Sequence, residues 1–568
     1  MPRPASDTPA PRSPQGKAPA LIPEPGPLDW LDSGLLARVT QAIRTCPRYG
    51  AGAGEVEAVR THISAVFLTP EYVFKFKRPV ALGFADFSTL SLRKRFCREE
   101  QRLNRRLAPE VYLEVLPLYA SRETPGEVLS LAGGEQVVDW CVVMRRLPRE
   151  DMLDARVRQG RVTPEDMASV ASLLAEFHRR PSRRKHLEHF GSLEVLQGNW
   201  DENFRQMEPF IGRTIPPGVF QTLQNSVGEF IRRNEGVLRG RAAQGFIRDG
   251  HGDLRCEHIA LGAGGIRIID CIEFNDRFRF GDVANDLAFL LMDLVALGRP
   301  DLARALLGHY IGISGDEHLE RLVAFYACYR AYVRGKVTSF KLNDATLPAG
   351  ELTRIRDTAT RFFQLAWGFA RQMAPPVLLL VAGLMGTGKS VLAAGLADRT
   401  GASVFNSDVE RKRLAAQETE SLRDSGSRAE FGAGVYDENW NRRTYDALFA
   451  HAASELGAGR TVILDASFSR REERERAAAL ARYLGARLIL VECRLDEART
   501  LTRLRERERR GGAVSDGRAA LYPRQRDAFE PIAEFPEDIH FVLDTAAPVG
   551  TLVESLLPRL SLPPPLFG

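Results

Sequence analysis

Cysteine is sparse in this chain, and none of it is paired at metal-ligand spacing. The seven cysteines, Cys46, Cys97, Cys141, Cys256, Cys271, Cys328 and Cys493, are scattered and odd in number, with no C-x-x-C. That pattern excludes a disulfide scaffold and a zinc ribbon, and points to thiols kept in a reducing compartment. Long apolar runs are also missing: none approaches the roughly 20 residues a membrane-spanning helix needs. The first 27 residues are rich in Pro, Ala and Ser, with no apolar segment behind a basic start. This argues against a secretory leader and for a disordered tail. Charge of one sign is lacking too. The net charge is +5 over 568 residues, so bulk electrostatics do not announce a nucleic-acid binder. The expectation is a cytoplasmic protein, and at this length two to four domains.

What the chain does have is concentrated at Pro375 to Ser390, PPVLLLVAGLMGTGKS. A short run of β-branched and leucine residues enters a glycine-rich turn and then a helix-forming stretch, VLAAGLADR. Gly383, Leu384, Met385, Gly386, Thr387, Gly388, Lys389 and Ser390 fit G-x-x-x-x-G-K-[ST]. Glycines let backbone N–H groups turn inward around phosphate oxygens, and the following helix directs its positive end at them. Lys389 is placed to reach the β- and γ-phosphates of ATP, and Ser390 to ligate Mg²⁺.

Beyond this loop, apolar strands alternate with helices: SVFNSD, a long polar helical region, TVILDASF, a helix over 471–484, RLILVEC, a helix over 496–510, and IHFVLD. Such alternation implies a parallel sheet covered on both faces, an α/β P-loop fold over 373–568. Functional groups in these sheets sit at the carboxyl ends of strands. Asp408, with Arg411 one turn on, is a candidate general base, and Asp465 a candidate carboxylate for magnesium or its water. Either could instead cap a helix. Arg503 and Arg507, four apart, could close over the phosphates, or could belong to a solvated helix paired with Glu506 and Glu508.

The first half reads as a strand-rich stretch followed by a helix-rich one, both within 28–372. HISAVFLTP and YVFKFKR form strands around a turn at Pro70-Glu71. A charged helix covers SLRKRFCREEQRLNRRL, and three more strands end near Met144. Helices follow from Pro164, with long segments near 216–239, 283–298 and 317–340. Among them lie HGDLRCEHIAL, a turn at 262–265, and IRIIDCIEF. Two carboxylates delivered to one cleft by short strands, Asp253 and Asp270, can take a hydroxyl proton and hold Mg²⁺. Asp282 and Asp286 are read as helix-start acids, and Asn199-Trp200 with Glu202-Asn203 as a packed helical turn.

These motifs carry two resemblances. Residues from about 30 to 372 resemble the aminoglycoside phosphotransferase-like family, a branch of the bilobal α+β protein-kinase-like fold. His251-Gly252-Asp253 looks like its catalytic H-G-D, and Ile268-Ile269-Asp270 like its metal-binding I-D. Lys75 resembles its phosphate-holding strand lysine, with Glu100 as helix partner; Lys77 and Glu99 are the competing register. Where the family places a metal-ligating Asn, this chain has His258, a poor ligand for Mg²⁺. No G-x-G-x-x-G precedes Lys75; residues 50–54 are a degenerate glycine-rich candidate. Residues from about 375 resemble small P-loop kinases of the polynucleotide kinase, gluconate kinase and zeta-toxin group. Together the halves resemble bacterial two-domain fusions of these families. The resemblance implies an ATP- and Mg²⁺-dependent phosphotransferase acting on a hydroxyl of a small molecule. The alternative is a pseudokinase or sensor first half regulating the second, which in turn could be a nucleic-acid 5′-hydroxyl kinase; the charge balance disfavours that last acceptor.

Overall fold

A computed structural model describes residues 28–50, 54–121, 128–182, 186–344, 346–424, 438–510, 519–563 and 567. The tail over 1–27 and the centre of the glycine-rich candidate, 51–53, lie outside the described residues. Backbone contacts group the chain into two units. One runs to Leu147 and includes Glu273–Asn275; the other comprises Pro148–Ile272 and Asp276–Gly568.

In the first unit, α1 (Ser33–Arg44) begins at Asp32, whose carboxylate accepts the N–H groups of Gly34 and Leu35. It precedes β1 (Glu57–Arg60), β2 (Ser64–Leu68) and β3 (Tyr72–Lys77); α2 (Leu90–Asn104) then leads to β4 (Tyr112–Ala120), β5 (Leu129–Ser130) and β6 (Gln136–Arg145). The strands form one antiparallel sheet in the order β1-β2-β3-β6-β4-β5. Period-2 alternation decides what each face of β3 does. Phe74 and Phe76 enter a core with Phe67 and Trp30, the Trp30 and Phe76 rings lying 4.9 Å apart. Lys75 and Lys77 therefore share the opposite face.

The second unit opens with helices. α3 (Pro164–Arg179) starts in a Thr163–Asp166 capping box. A hairpin of β7 (Ile259–Gly262) and β8 (Gly265–Ile268) turns at Gly265, φ 97°. Long helices follow, among them α4 (Val283–Ala296), α5 (Leu319–Phe340) and α6 (Ala349–Gln372).

Then comes the parallel sheet. Its strands are β9 (Val377–Ala382), β10 (Ser403–Asn406), β11 (Val462–Asp465), β12 (Arg487–Arg494) and β13 (His540–Asp544), ordered β10-β11-β9-β12-β13. The intervening helices are α7 (Lys389–Thr400), α8 (Ser407–Asp424), α9 (Glu438–Gly457), α10 (Arg471–Tyr483) and α11 (Glu497–Arg510), with α12 (Val549–Leu560) last. All six residues of β9 are buried. Val377, Leu379 and Val381 pack with Leu392, Leu396 and Leu556 on one face. Leu378, Leu380 and Ala382 pack with Tyr445, Leu448 and Ala452 on the other. Burial on both faces is why this strand reads as an unbroken apolar run. Among the described residues, no helix is long and apolar enough to cross a membrane.

Leu379 lies at the centre of the parallel sheet, so Leu379→Ala leaves a cavity in a close-packed layer. The expected cost is about 2–5 kcal/mol, seen as a lowered urea midpoint for the transition of this sheet.

Candidate functional site

The loop leaving β9 can be built only from glycine at three points. Gly383, Gly386 and Gly388 have φ of 132°, 80° and 90°. A β-carbon on Gly383 would meet the Cys493 carbonyl oxygen at 2.4 Å, and one on Gly386 would meet Leu504 at 2.9 Å. The loop is curled onto itself. Thr387 Oγ1 and Lys389 Nζ both donate to the Leu384 carbonyl, at 2.8 and 2.9 Å. Outside groups brace it: Thr545 Oγ1 donates to the Thr387 carbonyl at 2.6 Å, and Gln525 Oε1 accepts the Met385 N–H at 2.7 Å. Burial lowers the Lys389 pKa, with Asp465, Cys493 and Asp408 opposing and Arg507 adding to it. The ammonium thus rests on a neutral carbonyl, near carboxylates that do not touch it.

Asn406, a residue the sequence reading did not single out, joins the groups around this loop. Its Nδ2 donates to Asp465 Oδ2 at 2.5 Å and to Ser390 Oγ at 3.4 Å. Its Oδ1 accepts the N–H groups of Asp408 and Val409 at 2.9 and 3.1 Å, capping α8. Asp408 therefore lies in the first turn of that helix, not at the end of a strand, because Asn406 takes the cap. Arg411 donates to Asp408 Oδ1 at 3.1 Å. Asp465 Oδ1 is buried without a hydrogen-bond partner. Arg503 donates to the Thr545 carbonyl at 3.1 Å, and its other Nη lies 3.5 Å from where a Gly388 β-carbon would stand. The structure thus gathers Lys389, Ser390, Asp408, Arg411, Asp465, Arg503 and Arg507 around the carboxyl end of the sheet. A magnesium ion fits this donor set: the Ser390 hydroxyl and the orphaned Asp465 oxygen are hard oxygen ligands.

In the first unit, both lysines of β3 meet Glu100. Lys75 Nζ is 2.8 Å from Glu100 Oε1, and Lys77 Nζ is 2.5 Å from Oε2. Lys77 also contacts Glu273. Lys77 and Glu100 are at most 1 % exposed. Burial works to discharge Lys77, but Glu100 and Glu273 outweigh it and raise its pKa. Glu99 instead pairs with Arg102 on the outer face of α2, at 2.6 Å. The two strand registers considered from sequence are both occupied, because residues i and i+2 share a face and one carboxylate has two oxygens.

In the second unit, His251, Asp253, His258 and Asp270 come together. Arg255 forks the Asp253 carboxylate, Nε to Oδ1 at 3.0 Å and Nη2 to Oδ2 at 2.9 Å. Burial raises the Asp253 pKa, but His258 and Arg255 outweigh it and hold it below the usual range. His258 Nδ1 donates to the Asp253 carbonyl at 2.8 Å, and its Nε2 is 3.6 Å from Asp270 Oδ2. Asp270 has φ 64°, a strained backbone for a non-glycine. A ligand set of Asp270 with an imidazole nitrogen does not suit Mg²⁺ as an all-oxygen set does. Asp286 does more than begin a helix: its two oxygens accept the N–H groups of His251 at 2.7 Å and Gly252 at 2.8 Å, and His178 Nε2 lies at 3.2 Å. Asp282 caps α4 and is forked by Arg241, as a helix-start acid. Trp200 is buried, and Asn203 accepts from Lys336 at 2.6 Å.

Comparison with known proteins finds two family matches along the chain. Residues 65–323 match the family described as phosphotransferase enzyme family, and residues 378–532 match one described as AAA domain. Uncharacterized proteins of Mycobacterium tuberculosis and Mycobacterium bovis are 32% identical over 482 residues, covering 83% of this chain and 90% of theirs. Among solved structures, a choline/ethanolamine kinase family protein from Mesorhizobium loti is 15% identical, with TM-score 0.35, covering 59% of this chain and 99% of its own. A sugar kinase from Janibacter sp. is 22% identical, with TM-score 0.25, covering 34% of this chain and 97% of its own. The first half has a protein-kinase-like fold and the second is a P-loop kinase-like domain.

The His251 ring gives a pH signature. Burial lowers its pKa from 6.5 to about 4, so the folded state keeps it neutral, donating to the Ile269 carbonyl at 2.9 Å. The unfolded chain binds this proton more readily, so the contribution is complete above pH 6.5 and is lost as pH falls toward 4. In urea titrations across that window, His251→Asn removes this part of the slope.

Proposed function

This chain belongs to the family of the mycobacterial proteins that it matches, joining a phosphotransferase-family domain to a P-loop kinase-like domain, and we propose that it transfers the γ-phosphoryl group of ATP to a hydroxyl of a small molecule. The observation that carries this reading is the cluster at the end of β9. There the half-buried Lys389 donates to a loop carbonyl, beside Ser390 and a buried Asp465 oxygen with no partner. Lys389 leaves the Leu384 carbonyl for the phosphates. Asp408, steadied by Arg411, takes the acceptor's proton as its oxygen bonds to the γ-phosphorus. The bond to the β-phosphate oxygen breaks and ADP leaves, while Arg503 and Arg507 offset the spreading charge. Ser390 and Asp465 would hold magnesium, which when bound would supply charge neutralisation for the phosphates.

In the first half, Lys75, held by Glu100, would meet phosphates and Asp253 would serve as base, with Asp270 the hard oxygen ligand left for a metal. One observation favours a second reading of this half as a sensor: Arg255 engages both oxygens of Asp253, while His258 occupies the position of an oxygen ligand. The seven cysteines are all buried thiols, which supports a reducing, cytoplasmic setting.

Single variants separate the two readings, with ADP release followed across sugars, aminoglycosides, nucleosides and 5′-hydroxyl oligonucleotides. Lys389→Ala is expected to cut P-loop turnover by about 10²–10³, and Asp253→Ala to cut first-half turnover by about 10²–10⁴. Loss with Lys389→Ala alone assigns the first half to sensing. Retention of full turnover and of magnesium-dependent nucleotide affinity by Lys389→Ala removes the P-loop assignment.

A further inference from the structure

The buried arginines of this protein fall into two groups. Most have carboxylates: Arg241 pairs with Asp282 and Asp316, Arg93 with Asp139, Arg474 with Glu534, and Arg279 with Asp249. Arg330, which is buried, and Arg334, which is half-buried, lie four apart on α5 and so on one face of it; neither has a carboxylate within ion-pair distance among the described residues. Arg330 donates Nε–H to the Asn285 carbonyl at 3.2 Å, and its guanidinium lies 4.7 Å from the centre of the Phe289 ring. The Arg255 guanidinium lies 6.0 Å from that same ring, and Arg255 is the residue that forks Asp253. Phe289 thus ties the Asp253 loop to α5. Arg334, one turn on from Arg330, sits 5.4 Å from the Phe362 ring, with its Nε buried and without a partner.

Burial lowers the pKa of both arginines. At Arg334, repulsion from Arg255 adds to the effect, with Asp253 and Asp293 opposing. Holding like charges together in a partly dry wall is unfavourable unless something neutralises them. Asp253 is already engaged by Arg255, and Asp293 accepts the Cys256 N–H at 2.9 Å. A planar guanidinium with open donors suits a carboxylate or phosphate, which would bring the missing charge. Arg330 has a structural role in its backbone bond and ring contact, so Arg334 is the residue left to meet a ligand.

We propose that the acceptor phosphorylated at Asp253 carries an oxyanion beside its hydroxyl, and that Arg334 recognises it. This rests on the reading of Asp253 as a general base, and the experiment keeps the two apart. The full chain carrying Lys389→Ala, which silences the P-loop site, is given Mg-ATP and two matched acceptor series. One is glycerol, glycerate, glycerol 3-phosphate and 3-amino-1,2-propanediol; the other is glucose, gluconate, glucose 6-phosphate and glucosamine.

Preference for the carboxylate or phosphate members is expected, and which of the two wins identifies the oxyanion. Adding Arg334→Met should raise KM about tenfold or more while kcat stays within about twofold, and Arg334→Lys should restore part of the loss. Preference for neutral or cationic members, or an unchanged KM in Arg334→Met, overturns the proposal. If no acceptor is phosphorylated, calorimetry with the same four anions decides. Binding that disappears in Arg334→Met upholds anion recognition while the base assignment of Asp253 falls. Absence of binding overturns the proposal.

Discussion

Backbone amides can surround a phosphate only where the chain turns with its N–H groups inward, and here that turn must leave a strand with no free face. Both sides of β9 are occupied by core, so the chain can change direction only at Gly383, where any side chain would collide with the Cys493 carbonyl. The rest of the P-loop site follows from the register of the strands beside it. Parallel pairing sets Asp465 level with Val381 and Asn406 level with Asp465. Three adjacent strands therefore end on one line. The Asn406 amide and the Asp465 carboxylate are delivered by that line, and the Ser390 hydroxyl by the first turn of α7.

The first half meets the same demand with side chains. Two lysines and two glutamates, Lys75, Lys77, Glu100 and Glu273, form a quartet of balanced charge. A buried ion pair is weak evidence for stability, because desolvation cancels much of the attraction. Its worth lies in fixing positions. With Lys77 saturating one oxygen of Glu100 and reaching Glu273, the other oxygen has one place to go, and Lys75 is set there. A single lysine could swing between the two oxygens; the second lysine removes that freedom.

Local signals made much of this readable in the sequence. The G-x-x-x-x-G-K-S loop, the apolar run ahead of it and the strand–helix alternation after it are all short-range patterns, and the sheet formed as the alternation implied. The alternation in Tyr72–Lys77 placed Lys75 toward Glu100, since Phe74 and Phe76 had to face the core. Contacts made by tertiary packing carried no such mark. Asn406 looked like a strand-end residue; its role appears only when Ser390 and Asp465, far away in sequence, arrive on either side. Asp286 was read as a helix-start acid because acids favour helix starts. From the first turn of α4 it also holds the backbone of His251 and Gly252, 35 and 34 residues earlier in the chain. Helix propensity says that an acid is welcome at such a position and is silent on what else its oxygens accept.

His258 links the electrostatics of the first half to its chemistry. An asparagine there would offer an oxygen to a metal; the imidazole instead bonds the Asp253 carbonyl through Nδ1 and turns Nε2 toward Asp270 and Arg255. Nitrogen donors thus replace an oxygen donor at the point where phosphate charge would be neutralised by a second cation. Arg255, Arg330 and Arg334 form a protein-supplied positive field around the same aspartate. Here guanidinium groups supply fixed positive charge near the aspartate. Fixed charge is preorganised and costs no reorganisation during reaction, but it repels itself when nothing is bound. Arg255 is paired with both oxygens of Asp253, whereas Arg330 and Arg334 have no carboxylate within ion-pair distance among the described residues.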